Sequence, residues 1–365
     1  MKKNNKKSGY ILLLTMIITS MLVALVTRMF YSSSVFSTFA IVATQREQAK
    51  ALAQSGMYIA CAQLYVPAQT QKKETPATQP TNPISPAKGT EQKQEQQQDD
   101  PIKLLLEQVI PVLNSLQTIK FNTETSGVDG AINFYITCEE GKLHLNDLLT
   151  LITDPQLPQE KQKFFQSIFA RIASVNTISE NLYQSAARFF EKRKHVWLND
   201  TTEILSARGF ESFTDTMFVK LPIDKKNEHS TVYFVDLFTP QSRYGKLDPW
   251  VLSRSTCLAL GMAYPNDKTV NDGLKAALKN FKKSYSWNTD WNAIFKPIYG
   301  IEFSALDKTI ASLLPTNGEP FNPVAFSVTV YATVGRVTQG VHALLLRKKQ
   351  QDHSIAFVPI KYYWI

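Results

Sequence analysis

Between Tyr10 and Ser55 the chain has neither glycine nor proline, and residues 10–27 contain no charged side chain. The first absence removes the ordinary helix breakers, and the second removes the groups that resist transfer into lipid. Cysteine is scarce as well. Three residues, Cys61, Cys138 and Cys257, are too few for a disulfide framework and have no CxxC spacing for zinc. A Cys138–Cys257 bridge in an oxidising compartment and two separate buried thiols both stay open. The five histidines, His144, His195, His229, His342 and His353, are dispersed without HExxH spacing and read as surface or capping residues. No GxSxG elbow, GxxxxGK[ST] loop or GxGxxG turn follows an expected strand, so no catalytic residue is nominated and no enzyme is expected. The pairs Glu139-Glu140 and Asp99-Asp100 read as a solvated turn and a helix start.

What is present is globular composition, 44 % hydrophobic and 11 % aromatic, in a chain of 365 residues, which is long enough for a substantial core. The net charge is +9, but Lys2, Lys3, Lys6 and Lys7 precede the apolar span and the other basic residues are scattered. No basic helix carries interleaved aromatics, so nucleic acid is not expected as a partner.

The opening KKSGY followed by ILLLTMIITSMLVALVT has three readings: a signal peptide, a retained anchor, or a leader cut after Gly9. Eighteen uncharged residues exceed an ordinary signal core and suffice to cross a bilayer. Lysines before the span place the N-terminus in the cytoplasm and the remainder outside. Good helix formers continue through TQREQAKALAQSG, so residues 10–64 predict one rod of about 80 Å. Residues 66–100, with five prolines, eight glutamines and no aromatic, predict a flexible tether.

Beyond the tether, Ile102, Leu105, Leu106, Val109, Leu113 and Leu116 share a helical face, with a kink expected at Pro111. Alternation predicts strands over 131–137 and 326–334 and two more from VHALLLRK and SIAFVPIKYYWI, with Pro359 on an edge. STVYFVDLF at 230–238 also reads as a strand. Helical periodicity runs through Phe164, Phe165, Ile168, Phe169 and Ile172, and again through Ile178, Leu182, Tyr183, Ala186, Phe189 and Phe190. Asp200 and Glu203 form an expected capping box with Gly209 past the helix end. Further helices are expected at Asp248-Pro249, 275–281 and 305–314. The fold class is therefore α+β: a long N-terminal transmembrane helix and a small antiparallel sheet split by a large helical insertion.

A short basic leader ending in glycine, then an apolar helix with AKALAQSGMYIA at 49–60, resembles the type IV prepilin class. Within it, the chain is similar to the K minor pseudopilins of type II secretion systems and the related X-type minor pilins. EEGKLHLNDLL at 139–149 and EILSARGFESFTDTMFVKLP at 203–222 resemble further stretches of the K family, in the same order, although His144 stands where asparagine is usual. Residues 66–100 and much of 225–320 show little similarity.

The resemblance implies cleavage by prepilin peptidase between Gly9 and Tyr10, N-methylation of Tyr10, and filament packing through Leu12, Leu13, Leu14, Met16 and Ile17. Leu14 stands where most pilins carry glutamate, which favours a tip position. The expected segments are a leader (1–9), an N-terminal helix (10–65), a linker (66–100) that departs from the K-family pattern, a pilin-like domain (101–143 and 324–365) and a helical insertion (144–323). The implied partners are I-type and J-type minor pseudopilins, the major pseudopilin, prepilin peptidase and an inner-membrane assembly platform, with the head periplasmic. K pseudopilins can bind calcium. The nearest oxygen-rich run, Asn266-Asp267-Lys268 with Asn271-Asp272-Gly273, lacks EF-hand order and reads as a turn, so no ligands are assigned. A different class, a signal-anchored periplasmic binding protein or enzyme on a stalk, would keep Lys2 to Gly9 and need no peptidase.

Overall fold

The computed structural model describes residues 5–65, 101–220, 231–240, 247–262, 267–279, 290, 292–300, 323–351 and 354–365. The tether at 66–100, the helix expected at 305–314, His229 and His353 lie outside them.

Helix α1, Asn5–Gln63, runs unbroken for 59 residues, about 90 Å. Its C-terminal third turns Ala49, Ala53, Gly56, Met57 and Ala60 inward at three- and four-residue spacing, and Leu64 just past its end continues the face. Helix α2, Pro101–Val109, ends where proline first interferes, and Ile110–Val112 tightens into a 3-10 turn around Pro111. The helical pattern that reached Leu116 in the sequence therefore stops early. Asn114, at φ 54, turns the chain into β1, Leu116–Phe121, a strand not expected from the sequence.

Strand β2, Gly130–Cys138, pairs antiparallel with β1 on one side and with β5, Ala325–Val334, on the other. Strands β6, Val337–Lys349, and β7, Ile355–Trp364, complete a five-stranded antiparallel sheet of order β1-β2-β5-β6-β7. The three C-terminal strands follow the sequence alternation. Pro359 lies on the edge strand β7, beside a bulge at Leu344/Leu345, where a missing N–H is tolerated.

Cys138 and Phe326 are directly paired, so the chain leaves the sheet after β2 and re-enters beside its point of departure. The insertion between them opens with β3, Leu143–His144, and α3, Leu145–Ile152, for which His144 is the buried N-cap residue, its Nδ1 2.7 Å from Asp147. Helices α4, Gln159–Val175, and α5, Leu182–Lys192, bury the periodic apolar faces expected of them. The Asp200–Glu203 capping box is present, at the start of a 3-10 helix, Thr201–Ser206, and Gly209 takes φ 87 beyond its end.

The expected strand over 230–238 is instead a one-turn helix, Phe234–Leu237, followed by β4, Phe238–Thr239, which pairs parallel with β3. Its aromatics were suited to burial rather than to pleating. Phe234 and Phe238 pack with Phe169, Phe210 and Phe213 at ring separations of 5.1 to 6.5 Å. Helices α6, Arg254–Leu260, α7, Asp267–Leu278, and α8, Asn292–Tyr299, finish the described part of the insertion. The fold is α+β, with one hydrophobic core continuous from the inner face of α1 through the sheet into the insertion.

Candidate functional site

From Tyr10 to Thr44 every residue of α1 is exposed, so the apolar side chains face outward on all sides. Leu12, Leu13, Leu14, Met16 and Ile17 lie within this stretch, as does Tyr10, while Gly9 sits on the preceding helical turn. Six of the hydroxyls inside it are satisfied internally. Thr15, Thr19, Ser20, Thr27, Thr38 and Thr44 each donate a hydroxyl proton to a carbonyl three or four residues earlier, at 2.8 to 3.1 Å. A lipid-facing helix requires that economy, because no water is present to satisfy a free hydroxyl. Among the described residues this is one helix long and apolar enough to cross a membrane.

Where α1 meets the sheet, Gly56 sets the approach. A Cβ there would lie 2.7 Å from Ile132 Cγ2 and 2.7 Å from Val330 Cγ1, so only a hydrogen lets the helix backbone rest on these two strands. Alanines at 49, 53 and 60 extend the close contact in both directions.

The insertion is held at its neck by charges that the sequence placed in a solvated turn. Glu139 and Glu140 are each only 4 % exposed. Glu140 Oε1 accepts from the Val324 N–H at 2.9 Å and Oε2 from the Cys138 thiol at 3.2 Å, so one carboxylate ties the outgoing chain to the returning one. Burial raises its pKa against those donors. Glu139 is ion-paired with Lys142, whose Nζ also donates to Ser327 Oγ at 2.6 Å. At Gly141 a Cβ would fall 1.8 Å from the Val251 carbonyl oxygen, so the loop 247–253 closes over the neck only because that residue has no side chain.

Beside the neck a cavity of about 40 Å³, room for a few waters, is lined by Asp200, Met217, Phe218, His342, Lys361 and Tyr363 among others. Asp200 Oδ2 accepts from Lys361 Nζ and Tyr363 OH, and Oδ1 accepts from the Thr202 N–H, which ties the insertion to the edge strand β7. Burial opposes ionisation of Asp200, but these donors hold its carboxyl at about 2. His342, expected at the surface, is buried instead. Desolvation, with Lys142 second, pushes its imidazole down to about 3, and Nδ1 pairs with Thr329 Oγ1 at 2.9 Å.

Cys138 and Cys257 are separate free thiols, buried in β2 and α6, and burial pushes the pKa of both upward; the bridge between them is not formed. The Asn/Asp-rich run read as a turn is helical from Asp267 onward, with Asn271 buried and Asp272 exposed, and Asn266 lies outside the described residues. Among the described residues no three His, Cys, Asp or Glu side chains gather as a metal site.

One feature of the surface was missed in the sequence. Val196 and Trp197, in KRKHVW, stand 57 % and 59 % exposed at the end of α5. A basic tetrad followed by a valine and a tryptophan, at a helix terminus, was the available signal.

No family model matches the chain, and no curated protein matches it. Among solved structures, it is similar to a chain of the GspK-GspI-GspJ complex from the enterotoxigenic Escherichia coli Type 2 Secretion System. The identity is 14 %, the alignment covers 71 % of this chain and 91 % of that one, and the TM-score is 0.29.

Proposed function

We propose that this protein is a minor pseudopilin of K type, the tip subunit of a type II secretion pseudopilus, which acts by assembly and capping rather than by catalysis. The observation that carries the reading is the division of α1. Its first 35 residues from Tyr10 are largely apolar, with Arg28 their one charge, and bare on every face, whereas its last turns are seated on the head through small residues. A bilayer anchor alone needs about 20 residues. The longer bare rod offers a surface for packing against neighbouring helices once it leaves lipid.

In this reading the leader is cut after Gly9 and Tyr10 becomes the methylated N-terminus. Leu12, Leu13, Leu14, Met16 and Ile17 pack against I-type, J-type and major pseudopilins, and the head is periplasmic. Leu14 supports a terminal position, since a subunit with no predecessor has no terminal amine to neutralise and a lone carboxylate in lipid is costly. The bulk of the insertion favours an end of the filament over its shaft. N-terminal mass spectrometry of membrane fractions tests the proposal. A chain beginning at N-methylated Tyr10 is expected in cells with prepilin peptidase, and the full leader in cells without it. Recovery of the lysine-rich start from peptidase-containing cells overturns it.

A further inference from the structure

We propose that loop 192–197 at the end of α5 is a bilayer-contact element that docks the head on an anionic phospholipid surface. The loop is built, not frayed. Lys194 N–H donates to the Glu191 carbonyl at 2.8 Å and His195 N–H to the Phe190 carbonyl at 3.0 Å, the paired bonds of a Schellman ending. The position that glycine usually takes in that motif is Lys194 at φ 56, and His195 follows at φ 59. Two successive side-chain-bearing residues in the left-handed region are strained, and they persist only where the surroundings fix them. Here the fixing groups are visible. The His195 ring packs edge-on against Phe190 at 5.2 Å, and Arg193 lies over Phe189 at 5.6 Å while pairing with Glu203 at 2.8 Å. On the other side, Leu198 is buried and its backbone is clamped by Asn146, which accepts from Leu198 N–H at 2.7 Å and donates to its carbonyl at 3.0 Å.

The consequence of all this anchoring is to hold two apolar side chains, Val196 and Trp197, out in solvent. Tryptophan has an apolar body and a polar N–H, which suits the boundary between headgroups and acyl chains. The surroundings select the sign of the surface. Lys192, Lys194 and His195 are exposed beside the apolar pair, and Glu191 is the single carboxylate within 188–199. Exposed lysines next to a lipid-seeking aromatic are attracted to anionic headgroups and repel a basic partner. A bilayer is also a surface this chain is built to meet, because α1 of the same chain is of membrane-crossing length. The inference needs only that anchor, and holds whether or not the chain is cut after Gly9.

The full chain, held in nanodiscs of phosphatidylcholine, is mixed with vesicles of phosphatidylcholine alone or of phosphatidylcholine with phosphatidylglycerol, and co-flotation is measured. The wild type is expected to partition into the anionic vesicles at least about tenfold more strongly, given two free lysines at the surface. Trp197→Ala is expected to reduce binding to anionic vesicles about tenfold. Lys192→Glu with Lys194→Glu is expected to abolish the anionic preference. Both sets of substituted residues are exposed, and an unchanged thermal midpoint confirms that the head is intact. Equal partitioning into both vesicle types, or folded variants that bind as the wild type does, overturns the proposal and leaves a protein as the occupant of the loop.

Discussion

Replacing Gly56 by alanine sets two known energies against each other. In an isolated helix the change is favourable by about 1 kcal/mol, because glycine has the larger conformational entropy to lose. Against the sheet, the new methyl meets Ile132 Cγ2 and Val330 Cγ1 at 2.7 Å, where ordinary contact begins at 3.4 Å. Both neighbours are β-branched, so their χ1 rotamers are stiff, and both are fully buried in a close-packed core. The helix must therefore withdraw, which also loosens Ala53 and Ala60, and overpacking of this kind costs about 1–3 kcal/mol. The net expectation for Gly56→Ala is a loss of up to about 2 kcal/mol. Gly56→Val adds bulk without the full gain in helix propensity and is expected to separate α1 from the head. Chemical denaturation of the full chain in detergent, followed by tryptophan fluorescence with its contribution from buried Trp250, measures the head rather than the micelle-bound rod. The pair Gly56→Ala with Val330→Ala should lose less than the sum of the two single changes, since the second removes one of the clashing methyls. A Gly56→Ala protein stabilised by the full increment of helix propensity would refute the close-approach argument.

The carboxyls of the head make two opposite pH predictions. Asp200 has a folded pKa of about 2, below its unfolded value, so its contribution is complete above about pH 4 and lost as the pH falls through 2; Asp200→Asn should cost about 1–2 kcal/mol at pH 7 and little near pH 2, by denaturation at each pH. Asp248 is buried, and desolvation pushes it up to about 8 despite the Trp250 N–H that it accepts, so its ionisation disfavours the fold progressively from about pH 4 to pH 8. Asp248→Asn keeps that acceptor and should be more stable than wild type by about 2–4 kcal/mol at pH 8 and similar to it at pH 4; an asparagine variant that melts lower at pH 8 would refute this assignment.

The parts of the fold legible in the sequence are those in which one periodicity acts alone. Phe326, Val328, Val330 and Ala332 alternate because each needs the same face of a sheet, and α4 and α5 show their burial at helical spacing. Legibility fails where two elements share one periodicity, as where Leu113 and Leu116 continue the apolar face of α2 but lie past a turn. The signal there was Asn114, a residue that tolerates the left-handed region. It fails again at Phe234 and Phe238, where aromatic content, a strand signal, served a core of packed rings. Burial of charge was the least visible of all. Nothing in EEGK says that Glu140 would bind the N–H of Val324, because its partner lies 184 residues away.

That last contact explains how a small sheet accommodates so large an excursion. Closing a loop of this length costs only slightly more than closing a short one, so the entropy of insertion is a modest burden. The greater hazard is local: the sheet could fray where β2 and β5 lose their connection. Cys138 and Phe326 remain in register, Glu140 crosses to the returning backbone, and Thr137 and Ser327 share a 2.8 Å hydrogen bond on the adjacent pair. At the far side, Asp200 grips Lys361 and Tyr363 on the edge strand, so the insertion is fastened at two separated points and cannot swing as a hinged domain on one tether. A head fastened in this way meets α1 through the small-residue seam at Gly56. The two parts of the chain that depart from ordinary protein surface, the bare apolar rod and the protruding Trp197 loop, are thereby held in a fixed relation to one another.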